Sequence, residues 1–424
     1  DATHVSSSGT ALAQVDVANA FANAGNLVNV STGVALAKTP AGNGTVPQSE
    51  IDTLANILAA CVDSNGMVSG PANPTPCYTL LSSATADGTA SGAEATDTAT
   101  VAINIAHHPS ANVATLFGLQ GGTAPYTPSL SAAPNDWTML LTFPAAYTES
   151  GLAIDGAGNV WISNFITSMA VKDTLQRSSV WELSSTGELV SGSAGFAVGD
   201  VLDPSNIAID SAGDVWISNE RGAVYPGPGS LTELSSSGNV LSGASGFTAN
   251  VVNGMAIDGS GNIWVGDGNS LEEFDGQGNL LSTIASLYPI LNISIDPSEN
   301  VWVAGYTISP SSSGVSEFSN AGVGLYSASN TNDTEWIAND SVGNTWYTGG
   351  GIVGGVSTAG NFLSNAGGSF TISTSEVSAA PIALDGAGHA WIAYKTLGVA
   401  PAVEGLIELD KNGTELSERA GFSI

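Results

Sequence analysis

Six times along the chain, an aspartate is followed six residues later by a tryptophan. The first copy reads GLAIDGAGNVWISN at 151–164, and close relatives stand at 206–219 and 254–267. Each copy joins two short apolar runs through a turn rich in Asp, Gly and Asn, which predicts a β-hairpin. The six pairs are Asp155 and Trp161, Asp210 and Trp216, Asp258 and Trp264, Asp296 and Trp302, Asp340 and Trp346, and Asp385 and Trp391.

The spacing of the copies further limits the folds that the chain can adopt. Successive aspartates are 55, 48, 38, 44 and 45 residues apart, a period typical of propeller blades. A third strand carries a glutamate followed five residues later by a glycine, and the glutamates are Glu182, Glu233, Glu273, Glu317 and Glu408. A fourth strand follows, as in GNVLSG at 238–243. The pattern predicts a mainly β fold, a six-bladed β-propeller over 136–424, with blades near 151–192, 206–243, 254–283, 292–327, 336–365 and 381–424.

This part of the chain resembles the NHL-type and streptogramin-lyase-type propellers, and most closely the uncharacterised secreted bacterial propellers of that group. Their blades share the order apolar run, Asp, turn, Gly-Asn, apolar run and Trp. The resemblance implies the fold and leaves function open, because propellers serve in binding, in scaffolding and in several enzymes. Streptogramin-lyase-like enzymes use a His-based, metal-assisted site, and lactonase-like propellers hold a divalent metal with acidic and Asn residues. Neither set can be mapped onto this sequence.

The repeated residues have structural explanations. One large ring per blade fills the wedge between neighbouring blades, so we predict the tryptophans as inter-blade core rather than as exposed stacking groups. We predict the aspartates as hydrogen-bond acceptors within their turns. The turns lack the alternating acidic ligands and final glutamate of a calcium loop. We therefore predict no metal and no cofactor.

Residues 1–135 lack the repeat and are predicted to form a small, mainly helical domain. Helical spacing is present at 14–30, at 50–62 with Ser49 as an N-cap, and at 95–119 with a break near Pro109. Residues 136–143, DWTMLLTF, resemble an outer blade strand that pairs with 414–424 to close the ring.

Cysteine content and charge point to an extracellular protein. The two cysteines, Cys61 and Cys77, suit a disulfide in an oxidising compartment, with two free thiols as the alternative. There are 38 Asp and Glu against 7 Lys and Arg, a net charge of −31 that disfavours nucleic-acid and anionic-membrane partners. No apolar run reaches membrane-spanning length, and the chain starts at Asp1 without a signal-like segment. We expect a mature secreted or cell-surface protein.

Histidine, the usual general base, gives no catalytic signature. His4 is near the first residue, His107 and His108 are in the helical part, and His389 replaces the turn asparagine of the sixth copy. Adjacent histidines on a helix face different directions, which disfavours a metal pair at 107–108. We read His389 as a turn variant, with a catalytic base as the alternative. No catalytic residue is predicted, and an enzyme is the less favoured reading.

Four of the seven cationic residues cluster in loops between second and third strands. They are Lys172, Arg177, Arg221 and Lys395. These loops belong to blades one, two and six, which are neighbours in a closed ring. They form a predicted binding sector for an anionic group or an acidic surface such as a second copy of the chain. The alternative is that charges simply favour exposed loops.

These observations favour a secreted, non-catalytic structural or interaction protein that self-assembles into a homo-oligomer or an extracellular surface filament. Assembly is expected through the propeller loops and the N-terminal segment DATHVSSSGT, which could add as a strand to a neighbour or remain a loosely docked terminus. The alternatives are a lyase- or lactonase-type enzyme with a site on the loop face, and a carbohydrate- or peptide-binding module using loop aromatics such as Tyr225 and Tyr394.

Overall fold

The structure is a computed structural model of the chain, which divides into two compact units. One unit comprises Asp1–Pro144 with Ser184–Glu188, and the other comprises Ala145–Leu183 with Leu189–Ile424. The described residues are 11–121, 125–143, 148–165, 179–192, 194–196, 201, 204–219, 229–249, 252–308, 311–330, 334–349, 352–361, 363, 369–371, 377–385, 388–396, 404–414 and 422–423.

The N-terminal unit is built mainly from helices. In chain order its elements are α1 (Ala11–Leu27), β1 (Val28–Asn29), β2 (Val34–Ala35), α2 (Gln48–Val62), α3 (Pro76–Ser83), α4 (Thr98–His107), α5 (Val113–Phe117) and a 3-10 turn (Gly118–Gln120). None of the helices among the described residues is both long and apolar enough to cross a membrane.

Local sequence explains where two of these helices begin. The Thr75 hydroxyl accepts a hydrogen bond from the amide of Tyr78, and Pro76 occupies the first turn of α3. Asp97 caps α4 in the same way, through the amide of Thr100. By contrast, α2 begins at Gln48 after Pro47 and has no side-chain cap, so the predicted cap Ser49 lies inside the helix instead.

The core of this unit packs α2, α3, α4 and α5 together with Trp137. Cys61 and Cys77 form a disulfide that joins α2 to α3. The prediction that 136–143 forms an outer blade strand is wrong, because Trp137 is only 3% exposed in the helical core. Thr142 instead makes an isolated bridge to Thr45. The prediction failed because a loop that covers a core can have the same alternation of apolar and polar residues as a strand.

The second unit contains six antiparallel sheets among its described residues, and each follows the previous one along the chain. We call each sheet a blade. Blade one is β3 (Thr148–Ile154), β4 (Val160–Phe165) and β5 (Ser179–Leu183). Blade two is β6 (Pro204–Ile209), β7 (Val215–Asn219), β8 (Ser230–Leu234) and β9 (Phe247–Thr248). Blade three is β10 (Val252–Ile257), β11 (Ile263–Asp267), β12 (Ser270–Phe274) and β13 (Leu280–Ala285).

The remaining blades repeat this order. Blade four is β14 (Ile290–Ile295), β15 (Val301–Ile308), β16 (Ser311–Phe318) and β17 (Gly324–Asn330). Blade five is β18 (Trp336–Asn339), β19 (Thr345–Gly349), β20 (Ile352–Val356) and β21 (Ser369–Thr371). Blade six is β22 (Val377–Leu384), β23 (Ala390–Thr396), β24 (Glu404–Leu409) and β25 (Phe422–Ser423).

The first strands of successive blades contact one another, from β3 through β6, β10, β14 and β18 to β22. Two of these contacts leave no room for a side chain. A Cβ on Gly151 would lie 3.0 Å from the amide nitrogen of Ile207, and one on Gly254 would lie 2.9 Å from the Cα of Asn292. The unit is thus a mainly β propeller, as the repeat predicts. Closure of the ring between blades six and one stays a prediction.

Each of the first five repeated tryptophans lies in the core between its own blade and the next. Trp161 packs with Ile207 and Ile217 of blade two, and Trp264 packs with Ile290 and Val303 of blade four. Trp216, Trp302 and Trp346 make the corresponding contacts with blades three, five and six. These five rings are at most 2% exposed. Burial of such large rings contributes to the apolar contact between blades.

Candidate functional site

In every blade but the fifth, an aspartate and a glutamate lie at the same end of the blade, and we call this the carboxylate end. The repeated aspartate ends the first strand of its blade. The third strand runs antiparallel to the second, so its last residues lie at the same end. The register places Glu182 opposite Trp161, Glu233 opposite Trp216 and Glu408 opposite Trp391. In blade five the residue opposite Trp346 is Gly355. The second strands end, and the third strands begin, at the other end of each blade.

The repeated aspartate holds both its own turn and its tryptophan. In blade three, one oxygen of Asp258 accepts hydrogen bonds from the amides of Ser260 and Asn262, both at 2.9 Å. The other oxygen accepts from the Trp264 indole nitrogen at 3.1 Å. The corresponding aspartate-to-indole bonds in blades one, two, four and six are each 3.2 Å.

These hydrogen bonds also set the charge state of the first aspartate. Burial opposes ionisation of Asp155, but bonds from Asn159, Trp161 and Ala157 outweigh it and lower the pKa of Asp155 below 3.8. The carboxylate therefore stays ionised at neutral pH while its oxygens satisfy the turn and the indole.

The residue four positions after the aspartate differs between blades. In blades three and four it is an asparagine whose amide lies between two carboxylates. Asn300 donates to Asp296 at 3.2 Å and to Glu317 at 2.9 Å. Asn262 bridges its two carboxylates in the same way, at 3.2 and 3.1 Å. The amide thus supplies the donor that two neighbouring anions need.

Blade two has an acid where the other blades have a donor. Asp210, Asp214 and Glu233 place three carboxylate oxygens within 4.8 Å of one another. Burial first, and then Asp214 and Asp210, raise the pKa of Glu233 from 4.5 to about 7. Burial and Asp296 also raise the pKa of Glu317, but the Asn300 hydrogen bond opposes the shift. Binding of a proton or a cation would reduce the electrostatic repulsion between the three carboxylates.

Blade six has an imidazole at the same position. His389 Nδ1 lies 2.8 Å from Glu408 Oε1 and 3.6 Å from Asp385 Oδ2. The ring thus takes the place of the amide in blades three and four, as a turn variant. Asp385, His389 and Glu408 each offer one ligand atom within 4.8 Å of the others, which is compatible with a divalent metal ion.

Most of the other predicted site residues lie outside the part of the chain that the structure describes. Lys172, Arg177, Arg221 and the segment 1–10 with His4 lie outside the described residues. Lys395 lies in β23 and not in the loop after it. Tyr394, predicted as an exposed loop aromatic, is 8% exposed in the core of blade six, and Tyr225 lies outside the described residues.

The adjacent histidines of the helical unit, His107 and His108, lie edge to face. Their rings are 6.5 Å apart and perpendicular, and His108 Nε2 lies 3.0 Å from the carbonyl oxygen of Ala86.

Sequence reasoning missed Asp214 as a member of a cluster. Aligning the six copies on their aspartates would have shown it. The fourth position is Asn in blades one, three, four and five, and acidic or imidazole in blades two and six.

Comparisons with known proteins concern the fold alone. No model of a protein family and no curated protein matches the chain. Virginiamycin B lyase from Staphylococcus aureus is 12% identical, over 62% of this chain and 84% of that one, with a TM-score of 0.42. The surface component PorZ of the type-IX secretion system of Porphyromonas gingivalis is 16% identical, over 67% and 44%, with a TM-score of 0.44. A gluconolactonase from Xanthomonas campestris is 15% identical, over 58% and 83%, with a TM-score of 0.40.

Proposed function

We propose that the protein is a secreted, non-catalytic propeller with a structural or interaction role. The observation that carries the proposal is the use of the repeated aspartates. Five of them accept a hydrogen bond from the tryptophan of their own blade. A carboxylate engaged in this way is a poor general base or nucleophile, because its oxygens already serve the turn and the indole. The conspicuous repeat therefore supports a scaffold.

Secretion is supported by the disulfide between Cys61 and Cys77. Disulfides persist in oxidising compartments and are rare in the reducing cytosol. The high acidity keeps such a protein soluble and disfavours polyanionic partners. We therefore expect its partners to be other proteins or neutral ligands, and we extend the proposal to self-assembly into a homo-oligomer or a surface filament.

An enzyme of the lyase or lactonase type is the second candidate. The observation that favours it is the set of Asp385, His389 and Glu408, which combines an imidazole with two carboxylates. An imidazole paired with a carboxylate can act as a base or as a metal ligand. In this reading the catalytic groups lie at the carboxylate end of blade six and not on the long loops.

The first experiment is to measure the mass and shape of the native, untagged protein at neutral pH and moderate salt. Light scattering combined with negative-stain imaging should show regular assemblies. A monodisperse monomer would count against a structural role based on self-assembly.

A second measurement separates the two candidates. The metal content of the purified protein should be negligible, and His389→Asn should leave stability and assembly unchanged, because it restores the asparagine of blades three and four. A stoichiometric divalent metal that this substitution abolishes would favour the enzyme instead. The matched control is Asn344→His in blade five, where no glutamate faces the turn.

A further inference from the structure

Among the described residues, no further strand pairs with the last strand of blade four. Among the described residues the sheet runs from β14 to β17 and ends there. β17 is seven residues long and β13, the last strand of blade three, is six, whereas β9 and β25, the last strands of blades two and six, have two residues each. A long terminal strand presents a row of backbone groups ready to pair with another strand.

β17 lacks the features that usually protect such an edge. Natural edge strands are blunted by lysine, by inward-pointing charges, by proline or by bulges. From Phe318 to Asn332 the sequence contains no Asp, Glu, Lys, Arg or Pro. A bulge occurs only where the pairing with β16 begins, at Glu317 and Phe318. From Tyr326 to Asn330 the pairing is regular.

The two faces of β17 differ in a way that suits sheet extension. Tyr326 and Ala328 pack into the core around Trp302, which fixes the strand in place. Val323 and Leu325 are 60% and 53% exposed, and Ser327 and Ser329 are also exposed. The exposed face thus combines apolar contact area with two small serines, whose hydroxyls hydrogen-bond within the chain to Ser316 at 3.1 Å and to Tyr288 at 2.7 Å.

The charge of the chain bears on which partner can approach this edge. Each chain carries a net charge of −31, so two copies repel one another over most of their surfaces. They can approach more closely at a strand that carries no acidic residue of its own, and β17, from Gly324 to Asn330, is such a strand. An antiparallel strand pair is also self-complementary under a two-fold axis, which is the usual symmetry of homodimers.

We propose that β17 pairs antiparallel with β17 of a second copy, joining two four-stranded blades into one eight-stranded sheet across a two-fold axis near Ser327. Ser327 then faces Ser327 of the other copy, and Leu325 faces Ser329. This contact rests on the proposed structural role and specifies one interface for it. Hydrogen bonds between the main chains provide the attachment, and Val323 and Leu325 add apolar contacts.

The test uses charge at the centre of this contact in the full-length protein. Ser327→Lys and Ser327→Asp each place two like charges opposite one another, so each variant alone should associate at least about tenfold more weakly than the native protein. An equimolar mixture places unlike charges together and should recover association. Sedimentation velocity over a range of concentrations measures all three samples, and circular dichroism confirms that each variant is folded.

Matched controls are Thr283→Lys and Thr283→Asp, which place the same charges on exposed β13 of blade three. They should leave association unchanged. Equal weakening by the Thr283 and Ser327 variants, or failure of the mixture to recover, would overturn self-pairing of β17. Failure to recover would point to a different occupant, such as residues 1–10 of another copy.

The outcomes separate this contact from the wider proposal. Association that is untouched by either Ser327 charge would refute the β17 contact and leave the structural role standing. A native protein that stays monomeric at every concentration would refute the contact and also remove the support that self-assembly gives to the structural role.

Discussion

Glu299 occupies a turn position at which the other five blades have glycine. The equivalent residues, Gly158, Gly213, Gly261, Gly343 and Gly388, all have positive φ angles. Glu299 adopts a φ of 65°, a left-handed conformation that costs a side-chain-bearing residue about 1 kcal/mol. Its carboxylate accepts a hydrogen bond from the amide of Gly259 at 2.6 Å. The strain in the turn of blade four is thus accompanied by a contact with the turn of blade three.

Substitutions at Glu299 should separate the cost of its left-handed backbone conformation from the gain of its hydrogen bond to Gly259. Glu299→Ala keeps the strain and loses the contact, so the free energy of unfolding should fall by about 1 kcal/mol. Glu299→Gly loses both and should stay close to the native value, since glycine adopts this φ freely. Urea denaturation measures the difference. Equal stability of the two variants would contradict this account.

The hydrogen bond to the indole should dominate the contribution of the five repeated aspartates that accept it. Asp258→Ala removes the acceptor of the buried Trp264 indole and of two turn amides, so we expect a loss of about 3 kcal/mol in unfolding free energy. Asp275→Ala is the control, because Asp275 accepts the same two turn amides, from Gln277 and Asn279, without an indole. Asp275→Ala should lower the free energy of unfolding by about 1 kcal/mol. Similar losses for both variants would mean that the indole bond contributes little.

The acidic cluster of blade two should make stability depend on pH. The pKa of Glu233 is raised from 4.5 to about 7, so the folded state binds more protons than the unfolded state between these values. This contribution is complete below pH 4.5 and is lost as the pH rises through 7. Asp214→Asn restores the bridging amide, and it should stabilise the protein by about 1 kcal/mol at pH 8 and by less at pH 5. Thermal unfolding at both pH values tests this, and an equal change at both would contradict it.

At the scale of elements, local chemistry made the hairpins predictable from sequence. The residues around Asp155 determine the turn, and the apolar residues on either side of it determine the two strands. The stretch at 136–143 was not predictable in this way, because its apolar residues serve the helical core, which is distant in sequence. Lys395 shows the same limit, since the end of β23 depends on pairing with Glu404 in β24. The carboxylate clusters depend on a register across strands that the order of residues does not state.

The disulfide should matter chiefly for the helical unit. It joins residues separated by 16 positions, and closing a loop of this size stabilises a fold by about 3 kcal/mol in the chain-entropy model. The double variant Cys61→Ser and Cys77→Ser should therefore unfold its helical unit at lower denaturant concentration. The tryptophan-rich blades should unfold at the native midpoint. Hydrogen exchange followed by mass spectrometry can assign each transition, and a uniform loss of protection would contradict this expectation.

At the scale of the whole molecule, charge decides how copies approach one another. Raising the ionic strength from about 0.1 M to about 1 M shortens the screening length from about 10 Å to about 3 Å. Association through the uncharged β17 edge should strengthen with salt, because the repulsion between the acidic chains is screened. Association between an acidic surface and the predicted basic sector should instead weaken. Sedimentation at both ionic strengths distinguishes these interfaces.

The five deeply buried tryptophans also bear on how such a chain can change in length. Each blade offers a ring on one side and a receiving surface on the other, as Trp264 does toward Ile290 and Val303. The blades therefore have equivalent packing surfaces, with a tryptophan on one face and a complementary apolar surface on the other. If one repeat were duplicated, the new blade could pack against both of its neighbours without changes in its core residues. Packing therefore favours evolution of such chains by duplication of whole blades.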